Sequence, residues 1–119
     1  MSNMRINRVT FNKNIFLNYT KIVDVRSENE FADDHIPSST NLPVLNNKER
    51  IIIGTQYKEN SFEARKKGAA LINNNIRKII KKDLFNKKDK ILIYCWRGGL
   101  RSLSLYLVLK QIGFDVEIL

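Results

Sequence analysis

The only cysteine in these 119 residues, Cys95, follows a β-branched apolar run, KILIY, and precedes the segment WRGGLRS. Five residues lie between it and Arg101. A loop of that length can curl so that successive backbone N–H groups point inward, toward the sulfur and toward an anion that the sulfur attacks. Gly98 and Gly99 are expected to supply the unusual backbone angles of such a curl. Arg101 brings a fork-shaped cation, and the helix that follows brings the positive end of its dipole. Each of these features favours a thiolate over a thiol. A lone cysteine at the end of a buried strand is more often a small core hydrophobe, and two glycines after a strand are usually only a turn. A turn, however, needs neither Arg97 and Arg101 nor a cysteine at its mouth, so Cys95 is read as a reactive nucleophile.

The elements that must hold this loop can be read on either side of it. KILIYC is a buried strand, LSLYLVLKQIG a helix apolar nearly all round and stopped by Gly113, and FDVEIL a last strand. Upstream, KIVDVRS is another compact β-branched run, hence a buried strand whose carboxyl end falls at Asp24 to Ser27. That end of a parallel strand is where functional residues gather. Ser27 can cap a short helix, ENEFADDH, with Glu30 three residues on in the capping-box relation. HIPSSTNLP carries both prolines and reads as a turn, a short extended piece and another turn. His35, the only histidine, invites pairing with Cys95 as a dyad, but a histidine before Ile-Pro in a tight connection is better read as bonding backbone and fixing its loop.

In the middle of the chain Asn60 with Glu63 makes a capping start. Ala64, Gly68, Leu71 or Ile72, Ile76, Ile79 and Ile80 then follow at helical spacing, one apolar face against a sheet. The preceding IIIGTQYK is less regular. Gly54, Thr55, Tyr57 and Lys58 read either as a polar connection or as a surface loop with a phosphate-seeking lysine and a stackable tyrosine. At the start, Ile6, Val9 and Phe11 and then Ile15, Phe16 and Leu17 suggest a short edge strand and a turn of helix. Strands alternating with helices imply an α/β fold: one domain over residues 1–119, a mainly parallel sheet with helices on both faces.

Composition bounds the function. The chain is long enough for one core and has 43% hydrophobic and 28% charged residues, as an ordinary globular protein does. One cysteine excludes an internal disulfide and a zinc knuckle, so no metal is expected and a reducing, cytoplasmic setting is. No run approaches a signal peptide or membrane span, and no membrane partner is expected. Lys and Arg number 21 against 12 Asp and Glu, a net charge of +9, which permits an RNA partner without showing one.

IVDVRSENEFADDHIPSSTNLP resembles the opening pattern of rhodanese domains, D-V-R, E-F, H-I-P and N-L-P, and the Cys95 loop resembles their active-site loop. GTQYKENSFEARKKGAAL and YCWRGGLRS narrow this: they are very similar to the rhodanese domain of the tRNA 2-selenouridine synthase family. The resemblance covers about residues 20 to 119. Generic rhodaneses typically place four residues between the cysteine and the loop arginine; the five here match that synthase family and the rhodanese-fold phosphatases.

The resemblance implies a rhodanese-like fold and a sulfur or selenium transferase in tRNA modification. Such an enzyme converts wobble 2-thiouridine to 2-selenouridine with selenophosphate as co-substrate and no tightly bound cofactor. It implies Cys95 as catalytic nucleophile, carrying selenium as a selenylsulfide. Trp96, Arg97, Gly98, Gly99, Leu100 and Arg101 then cradle the anion, through their backbone and the Arg101 guanidinium. Asp24 and Arg26 fall on the D-V-R and are assigned support, as is Ser102, the hydroxyl after the arginine. The wider five-residue ring suits a tetrahedral, phosphate-like ion.

The chain departs from the pattern at Asp34, Ser38 and Ser39, where glycine, then glycine and alanine, are usual. The family's usual protein also continues into a P-loop domain, and no GxxxxGK[ST] loop occurs here. The expectation is therefore tRNA, as 2-thiouridine or its geranylated form, with a P-loop domain supplied by a separate subunit; otherwise the sequence is a fragment. A cysteine phosphatase, a thiosulfate-type sulfurtransferase and a binding module are the alternatives. No clear acid loop supports the phosphatase, and a binding module would need neither Cys95 nor Arg101.

Overall fold

The computed structural model describes residues 6, 8–12, 14–95 and 99–119. Four strands, β1 (Lys21–Asp24), β2 (Thr40–Asn41), β3 (Lys90–Tyr94) and β4 (Asp115–Ile118), form one sheet in the order β2-β1-β3-β4, with every pairing parallel. The helices are α1 (Glu28–Asp33), α2 (Asn47–Glu59), α3 (Ser61–Lys81) and α4 (Leu100–Ile112), preceded by a single 3-10 turn at Ile15–Asn18. The α/β class and the parallel sheet flanked by helices are as the alternation of elements implied.

The β-branched runs end up in the centre because both of their faces are covered. Val23, Val25, Ile91, Leu92 and Ile93 are all 1% exposed or less, and each such aliphatic side chain contributes on the order of 1.5–3 kcal/mol relative to an exposed one. On one face they meet Ile72, Ile76 and Ile79 of α3 and Leu105, Tyr106 and Leu109 of α4. On the other, Ile22, Leu92 and Tyr94 are covered by Val9, Phe16, Tyr19, Ile36 and Leu119. That second face is thus closed by the amino-terminal segment and its 3-10 turn. The expected short edge strand there is reduced to an isolated bridge, Arg8 to Ile118, because few apolar side chains anchor it; residues 1–5, 7 and 13 lie outside the described residues.

The capping signals fold as read. In α1 the Ser27 hydroxyl and backbone N–H both donate to Glu30 Oε1, at 2.8 and 3.2 Å. In α3 the Glu63 N–H donates to the Asn60 side chain. IIIGTQYK is neither a polar connection nor a surface loop: it lies within α2. The signal lay just upstream, where Asn46 and Glu49 form a full capping box at 2.8 and 2.9 Å. Three consecutive isoleucines conceal any helical period. Gly54 lies inside α2 and does not break the helix.

Ser38 adopts φ 68° in the turn after Pro37. This is the left-handed region that favours glycine, at a position where the family pattern usually has one.

Candidate functional site

The register of the two central strands builds the site. Asp24 pairs with Tyr94, so the carboxyl end of β1 lies beside the residue that precedes Cys95. Beyond the strands, Val25 donates its N–H to the Tyr94 carbonyl at 3.2 Å, which carries the pairing up to the loop. Cys95 is 7% exposed. Its thiol donates to Ser102 Oγ at 3.1 Å, with the Gly99 carbonyl at 3.6 Å. The Ser102 hydroxyl donates in turn to the Gly99 carbonyl at 3.1 Å. The sulfur therefore sits against the first turn of α4, a thirteen-residue helix with Gly99 as its N-cap, where the unpaired N–H groups and the dipole favour negative charge.

Gly99 itself takes φ −76° and ψ −176°. These are extended angles open to any residue, so the expectation that Gly99 supplies an unusual conformation is not met. Trp96, Arg97 and Gly98 lie outside the described residues. Leu100 is 65% exposed at the mouth of the loop.

Arg101 is gripped from across the molecule. Its Nη1 donates to Glu30 Oε1 at 2.8 Å and its Nη2 to Glu30 Oε2 at 3.2 Å, a fork meeting a carboxylate. Arg50 Nε approaches the same Oε1 at 3.8 Å. Burial pushes the Glu30 carboxyl up, but hydrogen bonds from Arg101 and Ser27 outweigh it and hold the group down at about 2. Glu30 is thus the capping residue of α1 and the carboxylate that aims Arg101. Sequence reading gave it only the first role; the E-F of the resemblance was the signal for the second.

Asp24 and Arg26 form a second, buried pair. The Asp24 carboxylate accepts from Arg26 backbone N–H at 2.9 Å, Nε at 3.1 Å and Nη2 at 2.9 Å. These hydrogen bonds raise the Arg26 pKa, against the opposing effect of burial. Arg26 also donates to the Asp34 carbonyl and stands 5.9 Å from the Tyr94 ring centroid. The pair ties the end of β1 to the segment after α1 and to the strand bearing Cys95. Asn41 Nδ2 closes the same corner on the Asp24 and Arg26 carbonyls, at 3.1 and 2.9 Å.

His35 stacks on Phe31 with ring centroids 3.7 Å apart and bonds the Phe31 carbonyl through Nδ1 at 2.7 Å. It braces its own connection, as read from the sequence. In the described geometry the Cys95 sulfur is sheltered beside a helix amino end, with a fixed guanidinium one residue before the serine that touches it. Among the described residues no helix is long and apolar enough to cross a membrane.

The chain is 36% identical over 119 residues to a tRNA 2-selenouridine synthase of Shewanella halifaxensis, covering 95% of this chain and 33% of that protein. With the Sulfurovum sp. synthase the identity is 38% over 94 residues, 76% of this chain and 26% of the relative. The chain spans about a quarter to a third of the length of these curated relatives. Among solved structures, the N-terminal domain of a Clostridium difficile 630 protein described as ATP/GTP binding matches with a TM-score of 0.75 and 35% identity, covering 87% of this chain and 84% of that one. The family model described as "Rhodanese-like domain" matches residues 10–119, and with the parallel sheet and the Cys95 loop on its carboxyl edge, the chain belongs to that family.

Proposed function

We propose that this rhodanese-like domain is the sulfur- or selenium-handling component of a tRNA wobble-uridine modification, replacing the sulfur of 2-thiouridine by selenium. Selenophosphate is the co-substrate and Cys95 the nucleophile: its thiolate attacks the selenium, the S–Se bond of a selenylsulfide forms as the Se–P bond breaks, and phosphite leaves with the electron pair from the cradle formed by the loop from Trp96 to Arg101. A P-loop unit, in the same polypeptide or supplied separately, handles the remaining steps. The observation that carries this reading is the position of Cys95: 7% exposed, directly after the strand residue that pairs with Asp24, and 3.1 Å from Ser102 at the amino end of α4, the residue after the Arg101 held by Glu30. Similarity to tRNA 2-selenouridine synthases over most of the chain supports the choice of reaction.

With thiosulfate the sulfur step balances as follows: the Cys95 thiolate attacks the outer sulfur, an S–S bond forms as the donor's S–S bond breaks, and sulfite leaves with the electron pair. The test is intact-protein mass spectrometry after incubation with selenophosphate and, separately, with thiosulfate, for wild type and Cys95→Ser. Serine is near-isosteric with cysteine, so the fold is kept. The expected result is an adduct with selenium's isotope envelope, absent from Cys95→Ser; a phosphoryl adduct of similar mass lacks that envelope. Absence of any chalcogen adduct, together with Cys95-dependent hydrolysis of a phosphate ester, would move the domain to the phosphatases.

A further inference from the structure

Beside the Cys95 loop an open groove of about 360 Å³ runs between α2, α3 and α4. Its floor is apolar: Ala64, Gly68 and Ile72 of α3 face Ile53 of α2. Gly68 of α3 packs on Ile53 of α2, whose Cγ2 would stand in ordinary contact, 3.6 Å, from a Cβ at that position. The walls are of a different character. Arg50 and Tyr57 of α2, Arg65 of α3 and Arg101 of α4 line it, and Arg101 joins it to the cysteine loop.

The charge in this groove is unbalanced. Arg101 and Arg50 share one carboxylate, Glu30, and only Arg101 takes both of its oxygens. Arg65 has no carboxylate partner among the described residues. Tyr57 is 51% exposed, an aromatic face left open between cations. Cationic walls with an exposed aromatic ring over an apolar floor are the recognition chemistry of a single-stranded nucleotide, with phosphate on guanidinium and base on ring. An acidic peptide would use the arginines but has no need of the ring.

We propose that this groove binds a nucleotide of the single-stranded RNA loop that presents its base to Cys95, with Arg65 and Arg50 on the phosphate and Tyr57 stacked on the base. This deepens the tRNA-modifying reading and rests on it for the identity of the RNA. The groove ends at Leu100 and Arg101, the first residues of the helix whose Ser102 touches the Cys95 sulfur, so an RNA strand seated in it passes Arg101 on the cysteine's side.

The test uses the 119-residue chain and a fluorescently labelled anticodon-stem-loop RNA, followed by anisotropy across a salt series. Arg65→Ala, Tyr57→Ala and Ala69→Phe are compared with Lys78→Ala, a basic residue of α3 outside the groove. Tyr57, Arg65 and Ala69 are exposed, so each variant is expected to fold; Ala69→Phe obstructs the groove without removing charge. The expected losses are at least about fivefold for Tyr57→Ala and Ala69→Phe. For Arg65→Ala, log affinity against log salt becomes shallower by about 0.7. Retained affinity in Ala69→Phe and Tyr57→Ala, or an equal loss in Lys78→Ala, overturns the groove assignment. Loading of wild-type Cys95 with selenium is read separately without RNA. Loading together with groove-independent RNA binding rejects the groove alone; groove-dependent RNA binding without loading rejects the transferase reading and keeps the groove.

Discussion

The Glu30 carboxylate holds the Arg101 guanidinium by two hydrogen bonds, 2.8 and 3.2 Å, between residues 71 apart in sequence. Glu30 is also fixed on its own side by the Ser27 hydroxyl at 2.8 Å. The helix cap and the aim of the arginine are therefore one hydrogen-bonded unit, and disturbing either end disturbs the other.

That unit gives a pH signature. Glu30 sits at about 2 in the fold against an ordinary value of 4.5. A carboxyl with a depressed folded pKa stabilises above its unfolded value, and that stabilisation is lost as pH falls from about 4.5 toward 2. Glu30→Gln should therefore lower the urea midpoint at pH 7, with the gap to wild type narrowing through this window. An equal gap at pH 7 and pH 2.5 would contradict the ion pair's role.

Arg101→Ala should weaken binding of a phosphate-like anion by about 1.5–3 kcal/mol, the range for a charged hydrogen-bonding partner. Arg101→Lys should recover only part of it, because a lysine keeps the charge but cannot meet Glu30 and the anion as a planar fork. Calorimetric titration with phosphate or thiosulfate measures both; an unchanged affinity in Arg101→Ala removes the arginine from the cradle.

Ser102 touches the sulfur at 3.1 Å and is fully buried. Ser102→Ala deletes a hydroxyl that can turn to donate to the thiolate. Alkylation of Cys95 by iodoacetamide at neutral pH should slow by about fivefold, the equivalent of one hydrogen bond near 1 kcal/mol. Rates equal to wild type would confine Ser102 to packing.

Ser38, at φ 68°, bears a steric cost that glycine does not. Ser38→Gly should stabilise the chain by up to about 1 kcal/mol, the left-handed penalty less the extra freedom glycine has when unfolded. Chemical denaturation measures this directly. A loss of stability would show that the Ser38 side chain's bond to the Pro37 carbonyl outweighs the backbone strain.

Read on its own, the sequence determined what local rules determine. KIVDV and KILIY read as buried strands, Ser27 with Glu30 and Asn60 with Glu63 marked two helix starts, and the spacing from Cys95 to Arg101 marked a loop between a strand and a helix, because strand burial, capping and loop length are encoded within a few residues. It misread Gly54 to Lys58, where three isoleucines in a row hide the period of a helix whose capping box lies at Asn46 and Glu49. It also assigned Gly99 an unusual backbone angle that its place as an N-cap does not require. Tertiary structure alone decided that Asp24 pairs with Tyr94 beside Cys95, that Glu30 reaches Arg101, and that Arg50, Tyr57 and Arg65 line the groove next to Arg101. Those relationships join residues 36 to 71 positions apart. They follow from strand order and helix packing, which no local spacing carries.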